Sequence, residues 1–257
     1  MKSLRLRMRR RSPEHLTVAF ARTRAEIDEA QRLRYRIFAE EMGARLHSLR
    51  TGLDMDRFDP YCHHLLVKDN ALGKVVGCTR ILTDGQAAMA GEFYSETEFD
   101  LSRILALPGR FMEIGRTCVH PDYRTGATIS LLWLGLARFM DTHGYDHLIG
   151  CASIPLHGDG CQALPVIDHL RRHHLSPEHL RAYPKRPLPA RDVTAVDTVN
   201  IPALLKGYLR LGAHVCGEPC WDPDFNVADV FVLLMRARLN QRYARRFVER
   251  RSQPRAA

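Results

Sequence analysis

The sequence lacks the long apolar runs that mark a membrane-spanning or exported chain. None of its 257 residues lies in an apolar run close to the roughly 20 residues that a bilayer-spanning helix needs. The N-terminus, MKSLRLRMRRRSPEH, is basic and has no apolar core of the kind found in a signal peptide. We therefore predict a cytoplasmic protein, with peripheral association at the inner face of the membrane as an alternative.

The sequence also lacks a disulfide framework and a metal-binding pattern. Its seven cysteines are odd in number and scattered, which fits a reducing compartment. Cys216 and Cys220 are four positions apart, but no second pair at metal-ligand spacing accompanies them. His169, His173 and His174 have helical spacing without a carboxylate and cysteine set beside them. We expect no metal site and ordinary surface histidines.

Nucleic-acid-binding motifs and an aromatic platform for stacking bases are missing too, although the formal net charge is +9. The charge therefore indicates binding to an anionic membrane surface or to an acidic protein partner. The alternative is that it only keeps the protein in solution. Much of it lies in the N-terminal head and in the C-terminal tail, at Lys2, Arg5, Arg7, Arg9, Arg10, Arg11, Arg236, Arg238, Arg242, Arg245, Arg246, Arg250, Arg251 and Arg255.

The pattern between the two ends predicts a single α/β domain. We assign residues 1–15 to a basic arm, 16–235 to the domain and 236–257 to a basic tail, because no repeat or break in composition divides the middle. In the tail, Leu239, Tyr243 and Phe247 are four apart. That spacing predicts a basic amphipathic helix, which would lie on an anionic membrane or dock on its own domain.

Local signals give the order of the elements. A strand over Leu16–Phe20 precedes a helix that reaches about Met42, with Thr23 and Glu26 as its capping box. Residues 64–82 are typical of a hairpin, and a helix is expected over residues 161–173. Strand, helix and strand over residues 111–152 predict one parallel crossover inside a mostly antiparallel sheet flanked by helices. The C-terminal half adds a helical insertion.

Residues 111–140, FMEIGRTCVHPDYRTGATISLLWLGLARFM, organise the rest of the chain. An apolar strand carries Glu113 and Arg116, and a basic turn then leads into a long apolar helix. The first N–H groups of a helix have no partner within it and favour anions. Arg124 adds charge at that point, and Gly126 allows close approach of the backbone. The segment predicts an anion site; the alternative is an ordinary crossover with a surface arginine.

A second polar segment covers residues 43–60 and contains Asp54, Asp56 and Asp59. A loop of this length in a compact domain is usually functional or disordered. Its acids fit a cationic group of a substrate, and the alternative is a solvated loop whose aspartates cap turns. Arg80, in the second strand of the hairpin, needs a partner if it is buried.

Taken together, these motifs resemble the GNAT superfamily of N-acyltransferases. Residues 119–124, VHPDYR, are similar to the entrance of that family's pyrophosphate loop. The usual loop continues as R-x-x-G-x-G/A, whereas Ala127 and Ile129 occupy those glycine positions here. The departure points away from coenzyme A and towards acyl carrier protein as the donor.

The N-terminal half resembles acyl-homoserine-lactone synthases, which take acyl groups from acyl carrier protein. The E-x-S-R motif of those enzymes corresponds to Glu113–Arg116, with Gly115 in place of the serine. Their arginine and phenylalanine one turn apart, their D-x-x-D pair and the arginine of their third strand correspond to Arg34, Phe38, Asp56, Asp59 and Arg80.

Over nearly its whole length the chain resembles the ornithine Nα-acyltransferases, which make lyso-ornithine lipid. The similar stretches are YRTGAT (123–128), ISLLW (129–133), LLKGYL (204–209) and DPDFN (222–226). The last two lie in a half that the signal synthases do not share in this form.

This resemblance implies transfer of a 3-hydroxyacyl chain from acyl carrier protein to the α-amine of ornithine. Glu113 is the expected base, with Arg116 beside it as the second catalytic residue. No resident cofactor is implied; the donor is the 4′-phosphopantetheine arm of the carrier, whose phosphate would be held by Arg124, Thr125, Gly126, Ala127 and Thr128.

The acceptor residues leave alternatives open. Asp56 and Asp59 are expected at the second ammonium of ornithine and Arg34 or Arg80 at its carboxylate, or these four form an internal ion-pair network. Phe38 completes the predicted substrate-binding set. The competing functions are an acyl-homoserine-lactone-type signal synthase and a non-catalytic, haemolysin-like membrane-binding protein.

Overall fold

A computed structural model describes residues 15–48, 51–156, 160, 162–189 and 199–239. The basic arm before His15 and the tail after Leu239, with its expected amphipathic helix, lie outside the described residues. Within the described ranges, no helix combines the length and the apolar character required to cross a bilayer.

The strands are short to medium in length and are numbered in chain order. They are β1 (Leu16–Phe20), β2 (His63–Asp69), β3 (Lys74–Thr83), β4 (Phe99–Asp100), β5 (Phe111–Val119), β6 (His147–Pro155), β7 (Tyr183–Pro184), β8 (His214–Val215), β9 (Cys220–Asp222) and β10 (Val227–Met235).

The helices fall mainly between the strands of the large sheet. The α-helices are α1 (Arg24–Tyr35), α2 (Asp84–Ala90), α3 (Ser102–Leu105), α4 (Ala127–His143), α5 (Leu164–His173) and α6 (Ala203–Leu211). A π-helix (Arg36–Glu41) continues α1, and single 3-10 turns occupy Asp59–Tyr61, Tyr94–Thr97, Pro121–Tyr123, Glu178–Leu180 and Arg236–Arg238.

The large sheet has the order β1-β2-β3-β5-β6-β10-β8, with β9 also paired to β10, while β4 and β7 form a separate pair. Its neighbours are antiparallel except β5 and β6, which run parallel with α4 as the crossover between them. The predicted α/β class, the mostly antiparallel sheet and its one parallel crossover are confirmed.

The first helix begins as predicted but changes form. Thr23 and Glu26 make the capping box, in which each side chain accepts a backbone N–H of the other residue. The predicted single helix to Met42 divides after Tyr35, because the following turns are wider, as in the bond from Met42 N–H to Ile37 O (3.0 Å). Wide turns of this kind often occur next to functional sites.

The two faces of the sheet carry different layers. Alternate side chains of a strand point to opposite faces, and on β10 Val230 and Val232 join one apolar cluster whereas Phe231 and Leu233 join another. Helices α4, α5 and α6 pack in the first cluster. The second cluster and the cluster of α1 lie on the opposite face, together with the segments before β4 and around β7.

Pairings between distant segments account for the differences from the predicted elements. Asp100 belongs to the short strand β4, and helix α3 begins after it at Ser102. The proline-rich segment 183–189 contributes β7, and the acidic loop over residues 218–225 contributes β9, which pairs Cys220 with Asp229. Helix α5 begins at Leu164, three residues later than predicted. Local periodicity carries no information about these long-range pairings.

Strands β5 and β6 pair only at their first three residues, from Phe111 with His147 to Glu113 with Ile149. At the end of this pairing Gly150 lies so close to β5 that a Cβ atom there would be 2.5 Å from the carbonyl oxygen of Ile114. Beyond that point the strands part. Gly150 therefore fixes where the opening in the sheet begins.

The Gly150→Ala variant is expected to lower the free energy of unfolding by about 1–3 kcal/mol, because its methyl group meets backbone that has no room to move. Urea denaturation gives the measurement. Gly85→Ala is the control: Gly85 lies in α2 with no heavy atom within 4 Å of its would-be Cβ. It is expected to be as stable as the parent or more stable. An equal loss in both variants would contradict the close contact.

Candidate active site

A cavity of about 1000 Å³ occupies the opening between β5 and β6. Residues 114–119 of β5 and 151–155 of β6 form its walls. On the face of α5 and α6 the lining is mostly apolar, with Pro165, Val166, Leu204, Leu205 and Tyr208. On the opposite face it is mixed and includes Phe38, Glu41, Tyr94, Arg116, Arg124, Asp222, Phe225 and Asp229. The cavity thus passes through the sheet from a charged end to an apolar end.

A β-bulge aims Arg116 into this cavity. Cys78 pairs with Cys118 and Arg80 with Gly115, so one residue of β3, Thr79, lies opposite two residues of β5. Arg116 has φ 49°, a left-handed conformation that is uncommon for a residue other than glycine. Bulges re-aim side chains and are frequent beside active sites.

The charged side chains behind Arg116 form one connected group, which we call the arginine–aspartate network. Arg34 is 1% exposed and donates to Asp54 through Nε (2.7 Å) and to Asp59 through Nη1 (2.5 Å) and Nη2 (3.0 Å). The full network consists of Arg34, Arg80, Arg116, Asp54, Asp56 and Asp59.

The remaining arginines join the network through Asp56. Arg80 Nη1 lies 2.6 Å from Asp56 Oδ1 and 3.2 Å from Asp59 Oδ2. Arg116 Nη2 lies 3.3 Å from Asp56 Oδ2, and its Nε lies 3.4 Å from Asp54 Oδ2. Three cations and three anions therefore balance, and they tie the loop before β2 to α1, β3 and β5.

The network keeps Asp56 and Asp59 ionised. Burial by itself raises the pKa of Asp59, but the Arg34 and Arg80 guanidinium groups outweigh it and hold the pKa well below its usual range. For Asp56 burial is likewise outweighed, first by Arg80, and the pKa is lowered. The internal network that the sequence left as one alternative is thus present in the fold.

Glu113 is buried at 4% exposure, and its carboxylate accepts three hydrogen bonds. Its carboxylate accepts the N–H groups of Tyr94 (2.8 Å) and Ser95 (2.7 Å) and the Ser95 hydroxyl (2.5 Å). Burial raises its pKa, opposed by the hydrogen bonds from Ser95. The Cys151 thiol, on the cavity wall, lies 3.3 Å from Ser95 Oγ, so Ser95 and Cys151 link Glu113 to the cavity.

A second set of acids, which the sequence reasoning missed, lies at the charged end of the cavity. The acid cluster is Glu98, Asp222 and Asp229, with one carboxylate oxygen of each within 4.8 Å of the others. Burial, followed by the charge of Asp229, raises the pKa of Glu98 to about 8. Burial is also the main reason that the pKa of Asp229 is raised to about 6.

The predicted anion turn has the expected shape. Gly126 is left-handed, and α4 starts at Ala127 without a side-chain cap. Thr128 is buried and donates to Tyr123 O (3.1 Å). Arg124 lines the cavity and makes two bonds to the Glu41 carboxylate, at 2.6 Å and 2.8 Å. An incoming phosphate would share this guanidinium with Glu41.

The predicted site residues thus occupy two layers around the cavity. Phe38, Arg116 and Arg124 line it, and Phe38 also meets the Phe225 ring edge-on at 5.6 Å between centroids. Within the described ranges, the cavity lining does not include Glu113 or the predicted substrate-binding residues Arg34, Asp56, Asp59 and Arg80, and of the predicted phosphate-binding turn it includes Arg124 but not Thr125, Gly126, Ala127 and Thr128. Their direct roles stay predictions.

The sequence distinguishes only some residues of the acid cluster as candidates for a functional site. Asp229 is a charged residue inside the apolar run of β10, VADVFVLLM, and a charge buried in a strand needs a reason. Asp222 lies in the acidic loop. Glu98 follows a turn in a segment without periodicity, so nothing local distinguishes it.

Comparison with known proteins identifies relatives that are all described as acyltransferases. A family model described as an acetyltransferase (GNAT) domain matches residues 33–134. The L-ornithine N(alpha)-acyltransferase of Brucella abortus (strain 2308) is 39% identical over 251 residues, covering 89% of this chain and 87% of the relative. The enzyme of the same name from Rhodobacter capsulatus is 36% identical over 255 residues, covering 93% of this chain and 97% of the relative.

Among solved structures, the CoA-dependent acyl-homoserine lactone synthase BjaI, with SAM and isopentyl-CoA, superposes with a TM-score of 0.54 at 16% identity. The match covers 92% of this chain and 88% of the synthase. At that identity the likeness shows a shared fold.

The Arg34→Leu variant is expected to lose about 3–5 kcal/mol of unfolding free energy, because it removes the nearest cation from the buried Asp54 and Asp59 and leaves them only the longer contacts to Arg116 and Arg80. Arg172→Leu is the control, since Arg172 is exposed and pairs only with Asp168 on the same helix; we expect a loss below about 1 kcal/mol. Chemical denaturation at neutral pH measures both. Similar losses in the two variants would show that the network is not a main source of stability.

Glu98 gives a pH dependence of stability. Its raised pKa, about 8, means that the folded protein retains a proton that the unfolded chain has already lost. The unfolding free energy should therefore fall as pH rises from about 5 to about 8. Denaturation curves across this range should show a shallower fall for Glu98→Gln, which cannot ionise. Equal slopes for the variant and the parent would refute the raised pKa.

Proposed function

This chain belongs to the family of L-ornithine N(alpha)-acyltransferases, and from that membership we propose that its acyl donor is 3-hydroxyacyl carrier protein. The reaction joins the acyl carbonyl carbon to the α-nitrogen of ornithine. The carbon–sulfur bond of the thioester breaks, the α-amine loses a proton, and the carrier leaves as its thiol. The product is lyso-ornithine lipid. The observation that supports the donor assignment is the cavity, whose apolar end lies opposite an end lined by Arg124, the residue just before the turn into α4.

The apolar end fits the acyl chain. Its lining from α5 and α6 is aliphatic and aromatic, including Val166, Leu205 and Tyr208. A volume of about 1000 Å³ is at the upper end for a small-molecule pocket, and ornithine alone would leave most of it empty. A long chain buries apolar surface there at a gain of about 0.8 kcal/mol per CH₂ group.

The other end fits a single phosphate. The first N–H groups of α4 lack a side-chain cap and Arg124 adjoins them, which together favour an anion. We propose that residues 124–128 bind the phosphodiester of the phosphopantetheine arm. The smaller anion suits a turn in which Ala127 and Ile129 stand where a glycine-rich loop would have glycines. The net charge of +9 suits an acidic carrier protein.

The chemistry needs an unprotonated α-amine and donors for the oxyanion. Glu113 is our proposed base, receiving the proton along the hydrogen bonds of Ser95 and Cys151. The backbone of β5 beyond Glu113 is no longer paired to β6 within the described strands, so its N–H groups are the proposed oxyanion donors. Arg116 lies at this point of the strand. Holding amine and thioester together supplies much of the rate.

The acceptor side of the site depends on the arginine–aspartate network. We propose that the network holds the loop before β2 and the bulge in the geometry needed for ornithine. Contact of ornithine with Arg34, Phe38, Asp56, Asp59 or Arg80 remains a prediction. An anionic membrane, where a lipid product would go, is a proposed further partner.

The decisive test is incubation of the pure protein with ornithine and one 3-hydroxyacyl chain, presented on acyl carrier protein or on coenzyme A. Mass spectrometry identifies the product. We expect N-acylornithine from the carrier and little from coenzyme A. Faster transfer from coenzyme A would overturn the donor assignment, and release of a lactone from S-adenosylmethionine would favour a signal synthase. Membrane association without thioester turnover would favour a non-catalytic protein.

Glu113→Gln tests the proposed base. We expect it to remain folded, as judged by its thermal unfolding, and to transfer about 100-fold more slowly at saturating ornithine. Glu218→Gln is the matched control, because Glu218 is exposed and pairs with Arg171 away from the cavity lining. Near-normal turnover in Glu113→Gln would remove Glu113 from the role.

A further inference from the structure

The acid cluster and the arginine–aspartate network differ in their balance of charge. In the network each aspartate contacts at least one guanidinium group. In the described part of the chain no ion pair within 4.0 Å is formed by Glu98, Asp222 or Asp229. The acid cluster is therefore the place at the cavity where a cation is missing.

Glu98 makes this deficit most acute. It is 9% exposed, and among the described residues neither of its carboxylate oxygens has a hydrogen-bond partner. The neighbouring Tyr94 hydroxyl and Cys151 thiol oppose the rise in the pKa of Glu98, but burial and the charge of Asp229 outweigh them. A buried carboxyl with so little compensation is costly. Asp229, which is 4% exposed, has the Ser153 hydroxyl as a donor to Oδ1 at 2.6 Å. Burial first, and the charges of the neighbouring acids after it, raise the pKa values of Glu98 and Asp229, and the charge of Arg116 only partly opposes this at Asp229. The cluster thus lowers its own charge by keeping protons.

The position of the cluster matches an acceptor with two charges of opposite sign. Asp222 and Asp229 line the cavity, as does Arg116. Two rings flank the Arg116 guanidinium, Tyr94 with its centroid at 5.0 Å and Phe225 at 4.7 Å. A carboxylate at Arg116 and an ammonium at Asp229 would lie on the same face of the sheet, beside the opening where the thioester is proposed to lie.

We infer that Asp229, with Asp222 and Glu98, binds the side-chain ammonium of the acceptor and thereby selects a diamino acid over a neutral one. The inference rests on the proposed function, because it assigns a specificity pocket to the same cavity. Asp56 and Asp59, the residues expected for this role from the sequence, are already neutralised by Arg34 and Arg80.

The side-chain ammonium fits the cluster better than the reacting amine does. The reacting nitrogen must become neutral before it attacks, so it gains little from several surrounding acids. The side-chain ammonium stays charged throughout and has three N–H donors. Three carboxyl groups within 4.8 Å of one another offer acceptors for all three donors.

The test compares ornithine with norvaline, which has the same carbon chain without the terminal amine. Steady-state kinetics with a fixed acyl donor are measured for the parent, Asp229→Asn, Glu98→Gln and the control Glu218→Gln. The parent should prefer ornithine over norvaline by about 100-fold or more in kcat/KM, as expected for a site with buried polar groups. Asp229→Asn should lose most of that preference through a higher KM for ornithine, with norvaline turnover unchanged. Glu98→Gln should show the same loss to a smaller degree.

The outcomes separate this inference from the proposed function. Failure of the parent protein to acylate ornithine would reject the function itself. If ornithine is acylated but Asp229→Asn slows ornithine and norvaline equally in kcat, the aspartate serves the reacting amine and the inference is wrong. Activity that is lost with a chelator and restored by a divalent cation, in the parent but not in Asp229→Asn, would show a metal site and also overturn it. Thermal unfolding of each variant, compared with the parent, shows that a loss of turnover does not come from misfolding.

Discussion

The buried ion pairs of Arg34 are the interaction on which the site depends. Arg34 enters from α1, and its guanidinium group fixes Asp54 and Asp59 of a loop that has little regular structure. That loop in turn presents Asp56 to Arg80 on β3 and Arg116 on β5. A buried ion pair adds little to stability compared with an apolar core of equal volume. Its role here is to position other residues. The Arg34 guanidinium joins α1 to the loop, and the aspartates of the loop join it to β3 and β5.

The sheet contributes the second constraint, because it opens where two parallel strands stop pairing. Gly150 allows β6 to approach Ile114 closely, one residue beyond the last paired position, and the bulge at Arg116 turns β5 on its other edge. The π-helix after Tyr35 brings Ile37, Phe38 and Glu41 to the cavity lining. Each of these features departs from regular geometry, and together they surround the cavity.

The sequence was informative wherever structure is decided locally. The capping box at Thr23 and Glu26 and the hairpin are set by neighbouring residues, and the parallel crossover follows from the order strand, helix, strand. The opening of the sheet, β9 and the acid cluster depend on segments that are far apart along the chain, such as those of Glu98 and Asp229. Local sequence patterns do not show which distant segments will come into contact. Resemblance to relatives identified the charged residues, but it could not say which of them line the cavity.

The passage of the cavity through the sheet also bears on how the product leaves. In the proposed pose, an N-acylated amino acid would have its head group among the charged lining residues on one face and its hydrocarbon tail among the lining residues of α5 and α6 on the other. A product in this pose would span the opening between β5 and β6. It could leave only by moving along its own length or after the two strands separate further. Departure of an amphiphile along that path is slow in water and favoured where a lipid phase can receive the tail. The rate of turnover would then be governed by release, and a bilayer or detergent would act as a product acceptor.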